Sequence, residues 1–263
     1  MPNQFVITNL QHADCFVALF QHVKSFSEHI NILFSDEKMY IQCMDASKVS
    51  VFEIFLPKEW FDSYNLENDA SVTIGISSSM LFRVLNTRDK KQNIKISFET
   101  EGDTILIEFQ CDDKDTYDKE FSLPLMDIES ELMNIPEMES TADISLPSEN
   151  FAKAIKDMKL FGDTFNLVCD QENLTMSANS DESGKMKLKI TTDDLTSYEI
   201  EEDAELCTSY SLNILYNISL YSKLSEYIHF HVKDGFPLKI VYELDNENEN
   251  AKMAFFVAPK MED

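Results

Sequence analysis

Glycine is scarce in this chain: five in 263 residues, at Gly75, Gly102, Gly162, Gly184 and Gly235. Spaced so widely, they cannot form GxGxxG, or GxxxxGK followed by Ser or Thr, so the usual backbone cradles for phosphate are missing. A GxSxG nucleophile elbow is missing as well. No apolar run approaches the roughly 18 residues that span a bilayer. The opening Met1-Pro2-Asn3-Gln4 does not read as a secretion signal, and the expectation is a soluble chain kept inside the cell. The five cysteines (Cys15, Cys43, Cys111, Cys169, Cys207) include no CxxC pair, which reads as reduced thiols of cytosol or nucleus. Basic residues are the last shortage: 22 Lys+Arg face 48 Asp+Glu, a net charge of −26. Taken as a whole, such a charge repels nucleic acid.

What is present is enough to fold. Apolar residues make up 43% of the chain, which excludes wholesale disorder. The length suits one large domain or two modest ones, burying roughly 70–75% of the unfolded surface. Of the histidines (His12, His22, His29, His229, His231), His229 and His231 share a face of an apparent strand. No Cys or carboxylate cluster completes a metal site around them. No carboxylate pair stands out as an acid/base couple. The expectation is therefore no catalytic residue, no metal, no cofactor and no enzyme.

A long repeat organises the chain. Phe151 and Phe161 follow Phe16 and Phe26 at one offset (151 − 16 and 161 − 26 both give 135). The same offset lays Asn31–Phe34 on Asn166–Cys169 and Met39–Gln42 on Leu174–Ser177. Each half reads as a helix, a strand, a tight turn and a second strand, with a further helical stretch at Ser78–Arg88 or Ser211–Lys223. Alternating strands surround them at Val72–Ile76, Ile94–Phe98, Thr104–Phe109, Lys185–Thr191, Tyr227–Val232, Leu238–Leu244 and Met253–Val257. Polar turns such as Asp245–Asn250 join them. The fold class is α+β, an antiparallel module of many strands and two helices occurring twice. The domains are 1–118 and 144–263, with a linker over 119–143. Its apolar Leu125-Met126-Asp127-Ile128 and Leu132-Met133-Asn134-Ile135-Pro136 should lie across a surface.

Cations are few, and the helical stretches read as mildly basic. With Ser148 as N-cap, Phe151, Ile155 and Met158 form an apolar face, and Lys153, Lys156 and Lys159 project opposite. The other helical stretches offer Lys24 with His22, Arg83 with Arg88, and Lys223. Acidic residues collect in loops and at the Met261-Glu262-Asp263 end. A chain segregated this way can meet phosphates on one side only.

These residues support a resemblance. Ile41-Gln42-Cys43-Met44-Asp45-Ala46-Ser47-Lys48-Val49-Ser50, the linker segment Leu125–Glu137, Phe236-Pro237-Leu238 and the ending Phe255–Asp263 resemble, in order, motifs of the proliferating cell nuclear antigen (PCNA) sliding clamps. The resemblance covers essentially the whole chain. It implies a homotrimeric ring of the DNA clamp fold, with helices lining a hole that double-stranded DNA threads without being read. It implies a processivity factor that tethers DNA polymerase, serves a clamp loader and other PIP-box proteins, and works in the nucleus, or at a cytoplasmic replication site if viral. Hole-lining cations would be Lys24, Arg83, Lys153 and Lys156, with help from Arg88, Lys159 and Lys223. The partner-peptide pocket would use Met44, Lys48, Val49, Val51, Leu132, Ile135, Pro136, Pro237, Phe256, Ala258 and Pro259. Closure would add Asp115–Phe121 of one subunit to Leu174–Ser180 of the next. Val17, Ala18, Asn213 and Leu220 stand where many relatives are basic, and Leu66-Glu67-Asn68-Asp69 is acidic, so the lining is thin. Two alternatives are a clamp-fold adaptor that does not encircle DNA and an acidic hydrolase built on His229 and His231.

Overall fold

Buried and half-buried residues alternate along most of the extended segments, the period-two pattern of strands with one face on a core. The structure is a computed structural model and describes residues 2–129, 132–245 and 250–260. Ser130 and Glu131 of the linker, residues 246–249 of the expected polar turn and the Met261–Asp263 end lie outside the described residues.

The chain forms two compact units. The first comprises Met1–Ala46, Glu53–Met133 and Leu244–Lys252; the second comprises Ser47–Phe52, Asn134–Glu243 and Met253–Asp263. The main division, at Met133/Asn134, falls inside the expected linker. In the first half the order is β1 (Asn3–Ile7), α1 (Leu10–Gln21), β2 (His29–Phe34), β3 (Lys38–Met44), β4 (Ser50–Pro57), β5 (Ser63–Asn65), β6 (Val72–Ser77), α2 (Ser78–Leu85), β7 (Asn93–Phe98), β8 (Thr104–Gln110) and β9 (Lys119–Pro124). One antiparallel run is β5-β1-β7-β8-β9; the other is β4-β3-β2-β6. The core is aromatic, with Phe5 stacked on Phe34 at 4.2 Å and edge-on to Tyr64 at 4.6 Å.

The second half repeats the plan as β10 (Ala142–Pro147), α3 (Ser148–Met158), β11 (Thr164–Cys169), β12 (Asn173–Ser180), β13 (Gly184–Thr191), β14 (Ser197–Ile200), β15 (Leu206–Ser211), α4 (Leu212–Ser219), β16 (Tyr227–Val232), β17 (Leu238–Glu243) and β18 (Lys252–Val257). Its runs are β14-β10-β16-β17-β18 and β13-β12-β11-β15. Phe151 of α3 meets Phe230 of β16 edge-on at 5.0 Å. Burying side chains of that size contributes roughly 1.5–3 kcal/mol each, the largest favourable term of the core.

Several sequence expectations need correction. Each half begins with a strand, β1 or β10, rather than with a helix. Pro147, not Ser148, is the N-cap of α3, and Ser148 is buried in the first turn. Lys24 sits on a 3-10 turn, Val23–Ser25, because α1 stops at Gln21. The strand expected at a subunit edge, Leu174–Ser180, is β12, and both its sides are already used, by β11 and β13. It has no free row of backbone donors and acceptors to offer. The edge of that run is β13.

Candidate functional site

The helix faces divide as amphipathic spacing requires. On α3, Phe151, Ala154, Ile155 and Met158 are buried, whereas Lys153 and Lys156 are exposed beside the acidic Glu149 and Asp157. Arg83 on α2, Lys24 and Lys223 are also exposed. Two of the expected cations are occupied. Lys159 donates to Asn213 Oδ1 and lies 5.1 Å above the Tyr216 ring. Arg88 departs furthest from expectation: α2 ends at Leu85, and Arg88 falls in the turn before β7. Its side chain is 3% exposed, with Nη1 2.6 Å from Asp14 Oδ1 and Nε donating to Gln92 C=O at 2.7 Å. It fastens a turn instead of presenting a charge.

Most of the expected partner residues belong to the second unit. There the tail meets the turn between β3 and β4: Ala258 N–H donates to Val49 C=O at 2.9 Å, and Lys260 N–H donates to Ser209 C=O at 2.7 Å. Lys48, in that turn, adopts φ 58 and is exposed. Val49, Val51, Ile135, Phe256, Ala258 and Pro259 are half-buried, while Pro136 and Pro237 are exposed. Phe236, beside Pro237, is 44% exposed. The remaining two, Met44 and Leu132, belong to the first unit and are exposed apolar side chains.

Two of the sheet edges differ in charge, one approached by carboxylates and the other lined by lysines. β9 ends the first unit's run, with Glu120 and Ser122 exposed and Asp115 and Asp118 exposed just before it. On β13 Lys185, Lys187 and Lys189 are exposed, alternating with half-buried Met186, Leu188 and Ile190. Those three apolar residues, with Leu146 and Ala154 among others, line a cavity of about 380 Å³. The sequence reading recognised β13 as a strand but gave it no role. The signal that could have marked it is the row of alternate lysines with no fully buried residue between them, a pattern of edge strands.

Comparisons with known proteins identify the family. The model of the proliferating cell nuclear antigen N-terminal domain matches residues 6–132, and that of its C-terminal domain matches 134–260. This chain belongs to that family. Proliferating cell nuclear antigen of Dictyostelium discoideum is 26% identical over 259 residues, covering 96% of this chain and 98% of the relative. That of Saccharomyces cerevisiae is 25% identical over 257 residues, covering 96% and 97%. A crystal structure of the Entamoeba histolytica protein matches with a TM-score of 0.87 at 22% identity, over 99% of this chain and 100% of that one. The PCNA family are DNA sliding clamps, processivity factors of replication and repair, and this chain has their two-domain clamp fold. The family is one of clamps rather than enzymes, which gives no support to the hydrolase alternative.

Proposed function

We propose that three copies of this chain close head to tail into a ring that encircles duplex DNA and tethers replication proteins to it. The observation that carries this reading is the pair of unlike edges on one chain, acidic at β9 and basic at β13. Two different surfaces that complement each other make a heterologous contact, which must close into a ring to avoid a filament. Strand addition there satisfies both rows of backbone groups, and β13 takes the place expected of Leu174–Ser180. The acidic excess then faces outward, while exposed Lys24, Arg83, Lys153, Lys156 and Lys223 turn to the hole. Mild attraction is what sliding needs, because strong phosphate contacts would hold the ring in place.

Partners dock on the second unit's tail patch around Val49 and Ala258, with Lys48, Val51, Ile135, Pro136, Pro237, Phe256 and Pro259 contributing. The ligand is a short PIP-box helical turn with aromatic anchors, a mode in which a few buried aromatics carry most of the affinity. The polymerase and clamp loader come to this surface, and the work is done in the nucleus without catalysis by the clamp. The adaptor reading retains one supporting observation, the tying of Arg88 and Lys159, which thins the lining further.

Light scattering on the purified protein tests the ring. A species near three times the 30.3 kDa chain mass is expected. A monomer at every concentration would favour the adaptor instead.

A further inference from the structure

The segment that leads into the acidic edge strand β9 holds an aromatic side chain in the open. Tyr117 is 85% exposed, more than any other large apolar side chain among the described residues. Its backbone, by contrast, is fixed. Buried Gln92, just before β7, donates from Nε2 to Tyr117 C=O at 2.9 Å and to Phe109 C=O of β8 at 3.3 Å. Gln92 Oε1 accepts Asp89 N–H at 2.9 Å, so both ends of the amide are paired, as a buried polar group requires. A turn on Asp113 closes the rest of the segment. Its C=O takes Thr116 N–H at 3.1 Å, its Oδ1 takes Asp115 N–H at 3.1 Å, and its Oδ2 lies 2.5 Å from Lys91 Nζ.

A surface able to receive that ring lies at the basic edge. The cavity beside β13 is lined by half-buried Met186, Leu188 and Ile190 with Leu146 and Ala154, and also by polar Asn150 and Asp157. All of these residues belong to the second unit. An apolar cavity with polar groups at hand suits a phenol, which has a ring to bury and an O–H to pair. The charges agree as well. Asp115, Asp118 and Glu120 are exposed around Tyr117, and Lys185, Lys187 and Lys189 are exposed on the strand that borders the cavity.

We propose that Tyr117 is the anchor of the contact between copies, seated in the apolar cavity beside β13 of the next copy; this rests on the ring reading above. Strand addition prolongs β9 back to Tyr117, and at a period of two Tyr117 then shares a side with Phe121 and Leu123. In a sheet continuous from one copy to the next, that row runs on into Met186, Leu188 and Ile190, the row of β13 that lines the cavity. Lysine–carboxylate pairs at the rim steer the encounter and set its direction, while the buried ring holds it. Because Gln92 and Asp113 order the segment beforehand, little conformational freedom is left to lose on docking.

Light scattering over a concentration series tests this on the full-length protein, with Tyr117→Ala, Tyr117→Phe and the pair Tyr117→Cys/Leu188→Cys. Tyr117→Ala should raise the concentration at half assembly by about tenfold or more, whereas Tyr117→Phe keeps the ring and should stay within about threefold of wild type. The side chain is exposed in the single chain, so circular dichroism should be unchanged in both. Oxidised with copper phenanthroline at a concentration where it assembles, the double-cysteine protein should give chains linked in twos and threes on a non-reducing gel. Either single cysteine variant should give only background. A Tyr117→Ala protein that assembles like wild type, or a double-cysteine protein that assembles yet does not cross-link, overturns the proposal and leaves the ring standing on its charged edges. A wild type that stays monomeric at every concentration removes the ring, and the proposal goes with it.

Discussion

The two halves repeat one plan and part company at their edges and on their helices. The first half ends its β5-β1-β7-β8-β9 run on a strand flanked by carboxylates; the second ends its four-stranded run on one studded with Lys185, Lys187 and Lys189. Their helices differ as well. α1 exposes Asp14, which Arg88 neutralises, and the one charged residue of α2 is exposed Arg83, whereas α3 exposes Lys153 and Lys156. A duplicated module therefore need not have duplicated duties. In the proposed ring, unlike edges would let identical subunits join in one direction only, and unlike helices would concentrate the DNA-facing charge in the second half.

Reversing the basic edge should have the largest effect. In Lys185→Glu/Lys187→Glu/Lys189→Glu, β13 would present carboxylates to the carboxylates flanking β9. Each exposed pair is worth only about 0.2–1 kcal/mol, but three attractions become three repulsions. The loss should be on the order of 4 kcal/mol per interface, enough to leave monomers at micromolar concentration by light scattering. All three side chains are exposed, so circular dichroism should be unchanged. A second triple change, Asp115→Lys/Asp118→Lys/Glu120→Lys, should return part of the assembly. A trimer that survives the first reversal would place the contact elsewhere.

Much of this comparison was legible in the chain itself. The offset of 135 that lays Phe151 on Phe16 anticipated the duplication, and period-two and period-3.6 spacing gave most strands and the apolar face of α3. What escaped were facts of tertiary arrangement. Both β12 and β13 alternate, and only strand order tells which is the edge. Arg88 looked like a helical cation because the three residues after Leu85 do not forbid a helix; its pairing with Asp14, 74 positions earlier, is a long-range contact. Gly75 fell within the expected strand Val72–Ile76, but nothing local accounts for a glycine there; the linker does, since a Cβ at Gly75 would lie 2.3 Å from the Met126 carbonyl oxygen. Local pattern determines an element and one face of it, while neighbours across the sheet determine the rest.

The next effect concerns the tail, which the second half carries and the first half has no counterpart for. Ala258 is half-buried, and its N–H is already committed to Val49 C=O. Ala258→Arg keeps that backbone bond while placing an unpaired charge where aromatic anchors are expected. Binding of a PIP-box peptide should weaken by on the order of 2 kcal/mol, roughly thirtyfold, in calorimetry. The trimer should remain, which separates this lesion from the edge reversal. Equal affinity in the two proteins would move the partner site away from the tail.

The smallest effect sharpens the contrast between the helices. If DNA-facing charge is concentrated in the second half, Lys153→Glu/Lys156→Glu should impair clamp-dependent synthesis more than Arg83→Glu does. All three residues are exposed and opposite buried faces, so folding should be intact in each variant. Each phosphate contact removed lowers the dependence of log affinity on log salt by about 0.9. The double variant should therefore lose close to two units of slope per subunit engaged, and the single variant close to one. Processivity on primed template should fall several-fold in the double variant, most visibly as salt is raised toward 200 mM, where little attraction is left to spare. Should Arg83→Glu match or exceed the double variant, the lining would be shared evenly by the halves. Should neither change processivity, the exposed lysines of α3 would be an ordinary solvated face, neutralised in place by Glu149 and Asp157.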